Sequence, residues 1–316
     1  MTTALHRTKP RFRPPAPLGG RPLQRRPARR GLLALCFLAP ALVLLGAFVA
    51  WPMLSALRLS FTDSSGFGSE SWVGLENYAR VFTDPAVLSA LGNTALYAAL
   101  FTPAAVIAAL VLALALNHPR LPLRGAFRTA LFLPFVVSLA VAAFAWSYLL
   151  DPQIGLLNYW LRGAGVQLGN VLQDPALAMP TVALVAVWKS FGFYMVIFLA
   201  GLQEIPGSLR EAAVVDGANA WQRFVHITLP MLSNTFAFVL IIALIAALQA
   251  FDQIYVMTGG GPFGSTQTIV MEIYESGFRE LELGFASALS YVLLAITLLL
   301  SLVQFVFFGR REQDAQ

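Results

Sequence analysis

The sequence predicts an all-α integral membrane protein with six transmembrane helices, and three observations carry that prediction. Of the 316 residues, 58% are hydrophobic and only 12% charged, against about 25% charged in soluble domains. Six apolar stretches reach the roughly 20 residues that a helix rising about 1.5 Å per residue needs to cross a bilayer. Charge is also segregated: residues 1–30 hold nine Lys or Arg, from Arg7 and Lys9 to Arg29 and Arg30, and no acid.

The tail comes first. With six prolines and little apolar surface to bury, residues 1–30 are expected to be disordered. Because a bilayer segment follows, their basic charge reads as a topology anchor and not as a nucleic-acid arm. The first span, 32–57, exceeds the roughly 7–15 residues of a cleavable signal's apolar core. It contains Cys36, the only cysteine, so the chain has no disulfide framework and no metal-ligand cluster. The other spans are 88–116, 127–150, 177–202, 231–251 and 283–308. Pro40, Pro52, Pro103 and Pro134 lie inside them, as spanning helices tolerate when neighbours or water satisfy the freed carbonyls. Lys189 is the one charged residue in the interior of a span, Arg128 lying at the very start of the third.

Orientation follows from the basic residues. With the tail inside, sixteen Lys or Arg face the cytoplasm, while Arg58, Arg80, Arg162 and Arg279 lie outside with eleven acids. Both termini are then cytoplasmic. The expected organisation is a tail over 1–30, a spanning domain over 31–310 with a cytoplasmic loop at 203–230, and a short tail over 311–316. The outer connections, about 58–87, 152–176 and 252–282, are too long for turns and carry Trp72, Tyr78, Tyr159 and Trp160. They either receive an external partner or lie in the interface as an aromatic belt.

The stretch from Glu211 to Pro230 is a polar interruption between two apolar runs. Pro206-Gly207 breaks the fourth span. Ser208 precedes Glu211 by three, the spacing of a capping box, so a short helix is expected to start there. Ala212 and Ala213 offer it a low-profile face, and Gly217 supplies backbone freedom for a turn. A second short helix is expected near Ala220–His226, with Pro230 at the first turn of the fifth span. This physics alone allows two readings, a capped interfacial helix or a docking site for a soluble partner.

The order E-A-A, three residues, G-A, then I-x-L-P, with Ile227 ten residues beyond Gly217, resembles the signature loop of ATP-binding-cassette importer permeases. That resemblance implies the type I importer permease fold and a coupling helix seated in a groove of an ATPase. Glu211 would anchor a basic ATPase residue, Ala212 and Ala213 would form the close contact, and Gly217 would be the hinge. Ile227, Leu229 and Pro230 would tie the loop to the fifth span, and Asp216 either pairs with the ATPase or caps the helix. Phe251–Pro262 with Ser265-Thr266, Val73–Tyr78, Gly92-Asn93-Thr94 and Leu199–Gln203 are similar to the first permease of carbohydrate importers, the maltose, lactose and glycerol-phosphate type. The resemblance spans about 32–310. It implies four partners: a second homologous permease, a cytoplasmic ATPase dimer, an external solute-binding protein and the lipid bilayer of the cell membrane. ATP and Mg would be bound by the ATPases, leaving this chain non-catalytic and without a cofactor, metal or nucleic acid.

Gly259–Gly261 lack the Lys of a phosphate-binding loop and read as an outer turn. Lys189 is costly in hydrocarbon, so it either contacts substrate or takes an internal partner. Ser190, Phe193 and Tyr194 follow it as further candidates on the path. Ala243, Ala246, Ala247 and Ala250 form one helical stripe, suited to close helix packing or to a cavity wall beside Gln249, Asp252 and Gln253. A stand-alone secondary transporter is the alternative, but the spans hold no central Asp or Glu. An intramembrane enzyme fares no better, since His6, His118 and His226 all fall outside the spans.

Overall fold

Among the described residues the chain is helical throughout its apolar segments, and its only extended pairing is an isolated bridge between Thr62 and Trp72. The computed structural model describes residues 27–313 without 67, 69, 119, 120 and 166–168, and side chains from Cys36 to Phe307. Residues 1–26 of the expected tail, Arg120 and residues 314–316 lie outside the described residues. The chain divides into two units, 1–53 and 54–316. Helix α1 (Pro27–Leu45) starts within the range expected for the tail and continues through a π-turn, Gly46–Ala50, into α2 (Trp51–Leu59).

Three other long helices match their expected spans: α4 (Pro85–Leu116), after the short α3 (Glu76–Thr83), then α8 (Ala178–Glu204) and α15 (Leu283–Gln313). Helix α4 starts earlier than its hydropathy suggested because Asp84 caps it, accepting from the Ala86 amide, with Pro85 in the first turn.

The other two spans are not single straight helices. Residues 127–150 form two limbs, α5 (Arg124–Val136) and α6 (Leu139–Leu149), that meet at 94°. Val137 and Ser138 are extended between them, three residues after Pro134 has removed a backbone donor. The expected fifth span, 231–251, is bent only at its start, and the limb before the bend lies outside it. Four residues of α10 (Ala220–Arg223), a π-turn at Phe224–Thr228 and α11 (Leu229–Met231) run at 69° to α12 (Ser233–Leu248). Among the described residues four helices are thus long and apolar enough to cross a membrane, and the two bent pairs supply up to two further candidates. Pro230 ends the limb before the bend and does not open the spanning helix. Of the three π-turns among the described residues, Gly46–Ala50 and Phe224–Thr228 precede a proline, Pro52 or Pro230, and Glu275–Arg279 does not. A proline ring clashes with the carbonyl four residues back, here Phe48 or His226, and the widened turn relieves that contact.

Helix α8 is the axis of the second unit and packs mainly on α4 and α5. Tyr97, Phe101, Ala105, Ala109 and Ala113 make an i, i+4 row on α4, all buried in one cluster with Met179, Val182, Ala183 and Ala186 of α8. The three alanines let the helix backbones approach closely. A smaller cluster of Val81, Val87, Leu248, Ile269, Phe285 and Leu289 joins the ends of α4 and α12 to α3, α14 (Ile269–Tyr274) and α15.

The long connections are ordered by side-chain hydrogen bonds. Asn93 Nδ2 donates to the Gly264 and Gln267 carbonyls at 2.8 and 2.9 Å, and the Thr94 hydroxyl accepts from the Ile269 amide at 2.9 Å. Asn77 Nδ2 donates to the Ser60 and Thr62 carbonyls at 3.0 and 2.8 Å. Gly259 and Gly260 adopt positive φ, and a Cβ on Gly260 would lie 2.1 Å from Gln267 Oε1. The glycine run is therefore a packed turn, as its missing lysine implied.

Candidate functional site

The segment after α8 is built from sharp local signals. Ile205 precedes a proline, is extended as that position favours, and is buried. Helix α9 (Gly207–Val215) then starts at Pro206 without a side-chain cap, so the capping box expected at Ser208 and Glu211 does not form. The box lies eleven residues later. Asn219 Oδ1 accepts from the Gln222 amide at 2.9 Å, and Gln222 Oε1 accepts from the Asn219 amide at 2.8 Å. An N-x-x-Q signal was present in the sequence, and it opens the second short helix.

Between the two helices Gly217 has φ +77°. The Ala218 amide donates to the Ala213 carbonyl and the Gly217 amide to Val214, the paired bonds of a Schellman ending. Asp216 is the C-cap residue of α9 and is exposed. Arg210 Nη2 donates to the Leu202 carbonyl at 3.1 Å, and Arg223 Nη1 donates to Ala218 at 2.6 Å. These two bonds fix α9 to the end of α8 and α10 to the turn.

The outward side of this segment is mixed acidic and apolar. Glu211 and Ala212 are exposed, and Glu211 forms no ion pair among the described residues. Val215 is 87% and Trp221 69% exposed. Ala213 is buried, so of the two alanines only Ala212 presents a surface. Ile227 is half-buried in the π-turn, while Leu229 and Pro230 are exposed beside the bend.

The second candidate region is a cavity of about 150 Å³. Its wall includes Ser190 of α8, Ala246 of α12, and Gln249, Asp252 and Gln253, where the chain unwinds between α12 and α13 (Asp252–Met257). Non-helical backbone in such a place is tolerated when protein buries it or a wet cavity receives it. Here Thr268 Oγ1 donates to the Ala250 carbonyl at 3.1 Å. Tyr97, Phe101 and Phe251 complete the polar and aromatic lining. Tyr97 went unpredicted because it lies in the first half of α4, far in sequence from the other polar residues of the cavity. Gln253 Nε2 donates to its hydroxyl at 2.7 Å.

The remaining path candidates separate from the cavity. Ala243 and Ala247 are fully buried in the α4–α8–α12 core, so that half of the stripe is packing, while Ala246 and Ala250 reach the cavity. Lys189 Nζ donates to the Phe135 carbonyl at 3.1 Å and lies 4.6 Å from the centre of the Phe135 ring. That carbonyl belongs to the last turn of α5, where the break at Val137 leaves acceptors free and the helix dipole favours a cation. Phe193 stacks on the same ring at 4.6 Å and meets Tyr194 edge-on. Lys189 thus clamps the bend. Lys189→Met is expected to lower thermal stability by about 1–2 kcal/mol while leaving the KM for transport unchanged. A raised KM at unchanged stability would place Lys189 on the substrate instead.

A separate groove of about 440 Å³ joins Ser147 and Asp151, at the end of α6, to Asn170 and Gln173 of the second long connection and Thr258 and Phe263 of the third. The backbone amides of Ile154 and Gln153 hold the Asp151 carboxyl below its ordinary pKa, and Phe263 is almost wholly exposed at its rim.

The chain is similar to known proteins over most of its length. The family described as binding-protein-dependent transport system inner membrane component matches residues 94–313. The probable ABC transporter permease protein YurN of Bacillus subtilis is 37% identical, over 88% of this chain and 96% of that protein. The sn-glycerol-3-phosphate transport system permease protein UgpA of Agrobacterium fabrum is 36% identical, over 89% and 96%. A bacterial ABC transporter involved in importing the acidic polysaccharide alginate contains a chain that superposes with a TM-score of 0.80. It is 26% identical, with 89% of this chain and 96% of that chain covered.

Proposed function

The chain belongs to the family of binding-protein-dependent transport system inner membrane components, and on that premise we propose how its two sites divide the work of an ATP-driven importer. It is a multi-pass subunit of the cell membrane that passes a sugar or sugar-like solute. By its charge distribution both termini and the 205–231 segment face the cytoplasm. An ATPase dimer grips that segment, a second homologous permease completes the path, and a solute-binding protein delivers cargo from outside. The groove beside Phe263 is the proposed seat for that delivery.

The observation that carries this reading is the Glu211–Trp221 surface. An unpaired carboxylate, a low-profile Ala212 and exposed Val215 and Trp221 stand on a segment held by two caps and two arginine bonds. Such a surface is stiff enough to transmit force and apolar enough to be covered. ATP-driven closure moves the permease only if the ATPases bind this segment differently in the two states. The cavity at Gln249–Gln253 is the proposed passage, and its unwound backbone lies at the end of α12, the helix that follows the gripped limb.

Glu211→Lys tests the coupling. In the co-expressed complex it is expected to lower binding-protein-stimulated ATP hydrolysis and uptake together, by about tenfold for the loss of one charge-assisted contact. Unchanged rates of both would remove the coupling role.

A further inference from the structure

We infer that the cavity takes an uncharged polyhydroxyl solute, a neutral sugar or sugar alcohol, and excludes phosphate and uronate anions. This inference rests on the importer reading and names the cargo class of the same passage.

Three observations point to it. Among the described residues no Lys, Arg or His lines the cavity, and the one charged group there is the acidic side chain of Asp252. An anion entering it would meet a like charge with nothing to offset its lost hydration. The basic residue beside Ser190 is Lys189, and its ammonium is already engaged by the Phe135 carbonyl and ring. The third observation is an orphan acceptor. Gln253 is 3% exposed, its Nε2 donates to Tyr97, and its Oε1 has no hydrogen-bond partner among the described residues.

A buried acceptor left unpaired is costly and calls for a donor. The charged phosphate or carboxylate group of an anionic solute has only acceptors to offer this atom, so its exclusion rests on the acidic lining and the absence of a cation. A sugar hydroxyl donates to Gln253 Oε1 and to Asp252, and it accepts from Ser190 or from the amide of Gln249. The aromatic wall, in which Tyr97 and Phe101 stack at 5.7 Å beside Phe251, suits the C–H faces of a sugar ring. The cargo class therefore differs from the acidic solutes named for two of the similar proteins.

The test uses the whole complex, co-expressed with its binding protein and reconstituted in vesicles with ATP on the ATPase side. Probes are labelled maltose, sucrose, trehalose and sorbitol, beside glycerol 3-phosphate, glucuronate and an alginate oligosaccharide. At least one neutral probe is expected to accumulate and none of the anions. Gln253→Leu is expected to cut that uptake about tenfold. Asp252→Asn, isosteric and at an exposed position, covers the case in which the Leu variant does not assemble, and is expected to cut neutral uptake severalfold. Accumulation of an anion, failure of every neutral probe, or wild-type uptake by both variants overturns the inference. Stimulated ATP hydrolysis separates the two claims. If it persists while only anions are carried, the importer reading stands and the neutral cargo falls. If hydrolysis and all uptake are absent, both fall.

Discussion

Replacing Gly192 by alanine is expected to destabilise the folded subunit by about 2–3 kcal/mol, a drop of roughly 5–10 °C in its melting midpoint. The reason is local and geometric. A Cβ at this position of α8 would lie 2.2 Å from the Leu131 carbonyl oxygen and 2.9 Å from Phe132 Cα, both backbone atoms of α5. Backbone cannot rotate out of the way, so the two helices must part. Parting them pulls Phe135 from Phe193 and Lys189, and with them the bend that positions α6. Gly201 offers a graded comparison, because its added Cβ would first meet the Thr235 hydroxyl at 2.4 Å, a group that can turn aside. Gly201→Ala should therefore cost less. Gly92 has nothing within 4 Å of an added Cβ, and Gly92→Ala should be neutral or stabilising by about 0.4–1 kcal/mol. Thermal unfolding of the purified variants checks the series. Equal midpoints for all three would mean that α5 and α8 do not approach at Gly192.

The second large effect falls on coupling and leaves the bundle intact. Gly217 has φ +77°, and its amide donates to the Val214 carbonyl. Proline fixes φ near −65° and has no amide hydrogen, so Gly217→Pro abolishes both the turn and one bond of the Schellman ending. No atom lies within 4 Å of an added Cβ, so the damage comes from the backbone and stays in the segment. Stability is expected to hold while uptake and stimulated ATP hydrolysis fall by at least about tenfold, since a misfitted backbone of this kind costs on the order of 1–3 kcal/mol. Gly217→Asn, which tolerates the left-handed region, should retain most activity, and Gly217→Ala should fall between. If proline transports as well as asparagine, the turn at Gly217 does not carry force.

The turn at Gly217 and the pre-proline break at Ile205-Pro206 were legible in advance because each rests on the conformational limits of one or two residues. The first short helix starts where expected, but its capping box was misplaced for a related reason. Ser208–Glu211 and Asn219–Gln222 are equally good capping boxes on paper, and only Asn219 follows a turn that leaves the backbone extended for capping. The motif residues Asn77, Asn93 and Thr94 stood out by resemblance alone, and the structure explains them as ties between connections distant in sequence. The bends at Val137-Ser138 and Leu232 were not read from hydropathy, which registers how apolar a stretch is and not its direction.

By itself the sequence determined the class of protein and its family. Membrane spans follow from a running sum of side-chain transfer energies, and the coupling segment from short-range backbone chemistry, both of which are local. Tertiary structure alone decided what the isolated polar groups do. Lys189 turned to a carbonyl 54 residues away. The alanine stripe split between core and cavity, and Gln253 met Tyr97 across 156 residues. A buried polar group takes the partner that packing brings to it, and packing brings together residues that sequence distance keeps apart.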